Sequence, residues 1–165
     1  MDDGALLRTL QHRYIATGPR PEYRDYPHQE VTEMDADITE AEVRAAIIGI
    51  RRNTTPGADG IHYTALRNLD DQAIQQLTNF YNQHWKNGTL PQEWRHADIT
   101  LIPKPGKPLS LQNLRPISLT SCVGILFEHV VLMRLQDYLE AREFFPNTMF
   151  GYRKKYVYTR HTSTT

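Results

Sequence analysis

The residues with the clearest chemical potential are the cations in LIPKPGKPLSLQNLRPISL, where a proline-rich turn separates Lys104 and Lys107 from Arg115. Apolar, β-branched runs flank the turn, so the pattern predicts two strands joined in a hairpin. A hairpin would bring Lys104 and Arg115 to one end, where a guanidinium beside an ammonium suits a polyphosphate or a nucleic-acid backbone. On spacing alone, the alternative that both are solvated loop charges stays open, because most surface cations have no dedicated ligand.

Three amphipathic helices are predicted around this hairpin. The first begins at a capping box formed by Thr39 and Glu42. The second is capped by Asp70 or Asp71 and ends near Gly88, a residue type common at helix C-termini. The third and longest follows the hairpin. The positions expected to face the core are Val43, Ala46, Ile47 and Ile50 in the first helix, Ile74, Leu77, Tyr81 and Trp85 in the second, and Leu126, Phe127, Val130, Leu135, Tyr138 and Leu139 in the third, whereas Glu128, Arg134, Asp137 and Glu140 are expected to face solvent.

A sharp turn is predicted between the first two helices, in NTTPGADGIHY. Pro56 followed by Gly57 suits a type II turn, because proline fixes the first central residue and glycine accepts positive φ at the second. Asp59, next to Gly60, is expected to hydrogen-bond within its own loop. We therefore favour a structural role for this segment, with any nucleic-acid contact secondary.

Composition is that of an ordinary globular protein. The 165 residues are 39% hydrophobic and 23% charged, which predicts one domain with a core and argues against wholesale disorder. The nineteen basic and nineteen acidic side chains cancel, yet residues 1–40 carry net −5 and residues 91–165 carry net +4. Charge therefore changes from acidic to basic along the chain.

Several function classes are disfavoured by the residue inventory. The single cysteine, Cys122, cannot form an internal disulfide and has no obvious activating base, and the histidines lack the spacing of a zinc site. No apolar run approaches the roughly 20 residues of a membrane span. We therefore expect an intracellular protein, nuclear or cytoplasmic, without a membrane partner.

Four motifs occur in the order and approximate spacing found in the fingers region of the reverse transcriptases of non-LTR retrotransposons. They are TPGADGI, FYNQHWKNGTLPQEWRHADITLIPKPGKP, LRPISLTSCVGILFEHVVLMRL and FGYRKK, and the chain resembles that family over residues 39–155. The resemblance implies an α+β, mainly helical fold, a partial fingers region with a β-hairpin and about three main helices, with the palm missing. The resemblance and the polar, proline-broken, acidic composition of the first residues together divide the chain into a linker-like segment at 1–36, a partial reverse transcriptase domain at 37–155 and an irregular tail at 156–165.

The resemblance also implies roles for individual residues. Lys104 and Arg115 are expected to contact the triphosphate of the incoming nucleotide, because fixed cations stabilise the negative charge of the leaving pyrophosphate. The Pro-Gly-x-Asp-Gly element falls on Pro56, Gly57, Asp59 and Gly60, and the residues expected near the template are Gly151, Tyr152, Arg153 and Lys154.

Catalytic residues are not expected in this chain. In the family, metal-binding aspartates lie further along, in an aspartate-bearing strand and an aromatic-x-Asp-Asp hairpin, and this sequence contains neither. Asp70-Asp71 precedes a helix, so capping explains it. The resemblance thus implies a fragment of an RNA-directed DNA polymerase. Mg²⁺, an RNA template and a deoxynucleoside triphosphate are expected for the complete enzyme, with no cofactor or metal site in this chain.

Two alternatives stay open. The same residues could form a non-catalytic RNA-binding module, whose affinity would fall steeply with salt. The chain could also be a decayed reading frame without activity, in which an apolar face left uncovered would favour aggregation.

Overall fold

The computed structural model describes residues 3–14, 32–51, 53–146, 148–149 and 153. The α+β, mainly helical class and the antiparallel hairpin are confirmed, whereas the assignment to a fingers region stays a prediction. The elements are helices α1 (Asp3–Tyr14), α2 (Thr32–Asp35), α3 (Glu40–Gly49), α4 (Tyr63–Arg67) and α5 (Asp71–Asn87), strands β1 (Asp98–Pro103) and β2 (Leu114–Leu119), and helix α6 (Cys122–Ala141), with 3-10 turns at Gln92–Arg95 and Leu111–Asn113.

The predicted helix boundaries are confirmed where side chains set them. At the start of α3, the Thr39 hydroxyl accepts from the Glu42 N–H at 3.3 Å and the Glu42 carboxylate accepts from the Thr39 N–H at 2.8 Å. Asp70, rather than Asp71, caps α5 by accepting an amide hydrogen bond of 2.8 Å. Gly88 ends α5 with φ of 58°, in the left-handed region that glycine tolerates best.

The core lies between α3, α5 and α6. Tyr81 of α5 is fully buried, and its hydroxyl donates to the Val123 carbonyl at 2.8 Å. The ring of Phe127 meets the Tyr81 ring edge to face, with 5.2 Å between centroids. Such aromatic pairs add about 0.5–1.5 kcal/mol beyond their buried area. The predicted core positions that are buried are Val43, Ala46, Ile50, Ile74, Tyr81, Leu126, Phe127 and Val130.

The predicted orientations of Arg134, Leu135 and Glu140 in α6 are wrong, and Glu140, with 20% of its side chain exposed, pairs with Arg153. Arg134, expected to face solvent, has only 10% of its side chain exposed, and Leu135, expected to face the core, is 41% exposed. The segment that precedes α3 lies against α6, and the carbonyls of Ala36 and Asp37 accept from the Arg134 guanidinium at 2.5 and 2.6 Å. Helical periodicity treats a charged residue as solvated, so it misses a partner almost a hundred residues earlier in the sequence.

The Arg134–Glu42 ion pair predicts a loss of stability in acid. Hydrogen bonding from Arg134 lowers the pKa of Glu42 from 4.5 to about 2. Because this pKa is lower in the folded state than in the unfolded state, the pair's contribution is complete above pH 4.5 and is lost as the pH falls towards 2. We expect the free energy of unfolding, from urea titrations across this range, to fall more in wild type than in Glu42→Gln. Equal losses in the two proteins would contradict the assignment.

The predicted type II turn at Pro56–Gly57 is wrong. Positive φ occurs at Gly60, at 66°, and not at Gly57. The turn is closed by the Gly60 N–H, which donates to the Gly57 carbonyl at 3.0 Å. The Asp59 carboxylate accepts from the Ile61 N–H at 3.1 Å, which confirms its predicted hydrogen bond within the loop.

Gly57 is needed for a close approach between two backbones. A Cβ atom at Gly57 would lie 2.6 Å from the carbonyl carbon of Thr120 and 2.7 Å from the Ser121 nitrogen. Ser121 is the N-cap of α6, and its hydroxyl accepts from the Gly124 N–H at 3.2 Å. The turn therefore sits directly on the residue that starts α6. Within the described ranges, no helix combines the length and apolar character needed to cross a membrane.

Candidate functional site

The hairpin places the two predicted cations on one face. The register sets Ile102 opposite Arg115, and the Lys104 N–H donates to the Asn113 carbonyl at 2.7 Å, which continues the pairing past the end of β1. Side chains alternate along a strand and cross-strand partners share a face, so Lys104 and Arg115 lie on the same face as diagonal neighbours. Such neighbours are about 7 to 8 Å apart, within reach of a common anion for long side chains.

Two prolines fit the hairpin because of this register. Lys104 and Asn113 form a hydrogen-bonded pair, and hydrogen-bonded and non-hydrogen-bonded pairs alternate along an antiparallel ladder. The pair that contains position 103 therefore has no cross-strand hydrogen bonds. Pro103 occupies that position, and Pro116 occupies the next such position on β2. Neither proline removes a cross-strand hydrogen bond, and each fixes φ beside one of the cations. The prolines therefore restrict the backbone conformation next to Lys104 and Arg115.

The electrostatics of this face favour an anion. Arg115 is exposed and makes no hydrogen bond or ion pair with any residue that the structure describes. The Lys104 ammonium lies 3.3 Å from the Gln112 carbonyl, a long contact that a ligand could replace. Lys107 is exposed in the same turn, and the sequence from 104 to 115 contains no acidic residue. No carboxylate of this segment therefore neutralises its positive potential.

Arg153 is paired within the protein. Its Nε and Nη2 lie 2.7 and 2.5 Å from the two carboxylate oxygens of Glu140, and 7% of its side chain is exposed. Glu140 was expected to face solvent, and this pairing explains why only 20% of its side chain is exposed. The template role of Arg153 stays a prediction, and a phosphate would have to compete with Glu140. The other residues predicted near the template, Gly151, Tyr152 and Lys154, lie outside the described residues.

Other reactive groups in the described part of the chain offer little chemistry. Cys122 is fully buried, and burial raises the pKa of its thiol, which keeps it protonated. No three histidine, cysteine, aspartate or glutamate side chains among the described residues converge so as to hold a metal ion. The Pro56–Gly60 segment forms the turn described above and presents no cation.

An apolar groove was not located by sequence reasoning. It runs along α6 beside the end of α5, has a volume of about 360 Å³, and is lined by Trp85, Trp94 and Leu135 among others. The Trp94 ring packs on Gly124, where a Cβ atom would lie 2.9 Å from it. The sequence contains one indication of this groove, since α6 is apolar on both faces, a pattern typical of a helix buried on all sides. Leu135, which was predicted to face the core, lines this groove instead.

Comparison with curated proteins finds retrotransposon polymerases. The "Probable RNA-directed DNA polymerase from transposon BS" of Drosophila melanogaster is 35% identical over 114 residues, 68% of this chain and 13% of the relative. The RNA-directed DNA polymerase from mobile element jockey of the same species is 32% identical over 133 residues, 80% and 14% respectively. The Pol polyprotein from the R2 retrotransposable element of Popillia japonica is 30% identical over 103 residues, 62% and 14%.

The match is confined to one part of these proteins. The chain spans 13 to 14% of the length of the relatives named above. No protein-family model matches the chain.

Proposed function

This chain is a homologue of one segment of the RNA-directed DNA polymerases of non-LTR retrotransposons, and we propose that the segment is the part of the fingers that holds the triphosphate of the incoming nucleotide. One observation carries the proposal. The hairpin register puts Lys104 and Arg115 on the same face, and Arg115 has no partner among the described residues. An exposed arginine on β2, beside a lysine that directly follows Pro103 at the end of β1, forms a pre-organised anion site.

The chemistry of the site is positioning and charge stabilisation. A nucleoside triphosphate presents several phosphate oxygens, and a guanidinium binds two of them in parallel while an ammonium binds as a point charge. Negative charge develops on the leaving pyrophosphate during phosphoryl transfer. Cations already in place stabilise that charge without the cost of reorganisation.

Template-directed nucleotidyl transfer is proposed for the complete polymerase, of which residues 37–155 would supply the fingers portion. Its partners would be an RNA template and a deoxynucleoside triphosphate, which places it inside the cell, in the nucleus or the cytoplasm. We propose that the Mg²⁺ of the complete enzyme is bound by aspartates outside this segment. The residues proposed to lie near the template are Gly151, Tyr152, Arg153 and Lys154, and those of the supporting turn are Pro56, Gly57, Asp59 and Gly60.

Removal of the two hairpin cations tests the proposal. We expect the Lys104→Ala/Arg115→Ala variant to bind deoxythymidine triphosphate about thirtyfold more weakly than wild type, since two exposed charged contacts of about 1 kcal/mol each are lost. The matched control is Lys86→Ala/Arg142→Ala, which removes the same charge from two exposed ion pairs on other elements. Titration calorimetry at low salt measures the affinities. Equal weakening in both variants would show that net charge, and not the hairpin, binds the nucleotide.

RNA binding without catalysis is the second candidate, and the three cations of the hairpin favour it. Phosphate contacts by Lys104, Lys107 and Arg115 would release counterions, so RNA affinity would fall steeply with salt. A chain that binds single-stranded RNA through these residues but not the triphosphate would support this function over the first.

A further inference from the structure

Helix α1 covers the hairpin face opposite the cations. Since Arg115 pairs with Ile102, the alternation along β1 puts Ile99 and Leu101 on the other face. There they border a small apolar groove of 140 Å³ together with Leu7 and Leu10 of α1. Among the described residues, α1 thus lies beside one face of the hairpin, and the cations lie on the other face.

Tyr14, at the end of α1, ties the helix to the hairpin turn. Its hydroxyl lies 2.5 Å from the carbonyl oxygen of Leu111 and 3.3 Å from that of Leu114. Leu111 begins the 3-10 turn and Leu114 begins β2, immediately before Arg115. A single hydroxyl therefore contacts both ends of the turn that leads into Arg115.

The hairpin needs such support. A two-stranded hairpin is marginally stable in water, and most residues of β1 and β2 are exposed. Ile99 is 45% exposed even with α1 beside it. Without α1, the hairpin would lose its apolar cover and the tyrosine hydrogen bonds, and the relative position of the two cations would vary.

We propose that α1, with Tyr14 as its positioning residue, holds the hairpin so that Lys104 and Arg115 are presented to a triphosphate. The identity of the ligand rests on the proposed function, whereas the restraint of the hairpin rests on the contacts of Tyr14. The N-terminal segment, expected from the sequence to be linker-like, would then position the hairpin through α1. It lies outside residues 39–155, over which the family resemblance runs.

The Tyr14→Phe variant tests this role, because it removes the hydroxyl and keeps the ring. We expect hydrogen exchange at the hairpin amides, including that of Lys104, to accelerate about fivefold, the effect of one lost hydrogen bond. Amides of α5 and α6 and the midpoint of thermal unfolding should not change. Affinity for inorganic triphosphate, measured by calorimetry, should fall three- to tenfold. The control is Tyr138→Phe, since the Tyr138 hydroxyl has no hydrogen-bond partner in the described part of the chain.

The two measurements separate this inference from the function on which it builds. Unchanged hairpin exchange in Tyr14→Phe would overturn the inference whatever the ligand result. Faster exchange with unchanged triphosphate affinity, in a chain whose Lys104→Ala/Arg115→Ala variant loses that affinity, would also overturn it and leave the proposed function intact. If wild type does not bind triphosphate, the proposed function fails, and the exchange rates alone decide whether Tyr14 restrains the hairpin.

Discussion

Replacement of Arg134 with alanine should lower the free energy of unfolding by about 3 kcal/mol, the lower end of the cost of breaking a buried ion pair from one side, because the Arg134 and Glu42 side chains are 10% and 30% exposed. All five N–H donors of the guanidinium are used. Two bind Glu42, at 2.5 and 2.9 Å, and the other three bind the carbonyls of Ala36, Asp37 and Met34 at 2.5, 2.6 and 3.4 Å. The variant would leave the Glu42 carboxylate without its charged partner, with only the two Thr39 donors, and would leave the three carbonyls without the guanidinium. The segment before α3 would lose most of its polar contacts with α6.

The control for this prediction is Arg142→Ala. Arg142 pairs with Glu33 at 3.1 Å, but 47% and 72% of the two side chains are exposed, so its loss should cost about 0.5 kcal/mol. Urea unfolding of both variants, followed by circular dichroism, measures the difference. A cost below about 1 kcal/mol for Arg134→Ala would mean that the N-terminal segment is not held by this residue.

Replacement of Gly57 with alanine should cost about 3 kcal/mol, at the upper end of overpacking effects. The added methyl group would meet the backbone of Thr120 and Ser121 at 2.6 to 2.7 Å, and backbone atoms cannot rotate away as a side chain does. The turn or the start of α6 must therefore move. Because β2 ends at Leu119, the shift should also reach the hairpin, seen as changed amide shifts at Arg115.

Gly49→Ala is the matched control for the loop glycine. Gly49 is the last residue of α3 and has open space where a Cβ would lie, so alanine there should be neutral or stabilising by up to about 1 kcal/mol. Thermal unfolding of both variants under the same conditions separates the steric effect from the general effect of glycine on the unfolded chain. Similar unfolding midpoints for the two variants would argue against the close approach.

Local features of the fold were predictable from the sequence, because residues a few positions apart determine them. The Thr39–Glu42 capping box, the glycine that ends α5 and the hairpin around Lys104 are examples. The errors concern contacts between distant segments. Arg134 was predicted to face solvent because its partners lie before α3. Gly57 was predicted to adopt positive φ, because its contact with the backbone of Thr120, 63 positions away, leaves no local pattern.

The candidate site was predictable in part, because residues close together in the sequence form the hairpin. Strand alternation and family resemblance together point to Lys104 and Arg115, whose role in binding stays a prediction, and the hairpin brings them to one face. Tyr14 was not predictable, since it reaches Leu111 across 97 positions with no local pattern to mark it. The pairing of Arg153 with Glu140 was also not predictable. The sequence around an arginine does not indicate whether its side chain binds a phosphate or a carboxylate of the same protein.

Titration of the ¹⁵N-labelled chain with deoxythymidine triphosphate, with the amide resonances recorded at each step, shows directly whether the hairpin binds the nucleotide. We expect the largest shifts to occur in the hairpin, around Lys104 and Arg115, and to disappear in the Lys104→Ala/Arg115→Ala variant. Shifts absent from the hairpin, or centred on the groove along α6, would contradict this expectation.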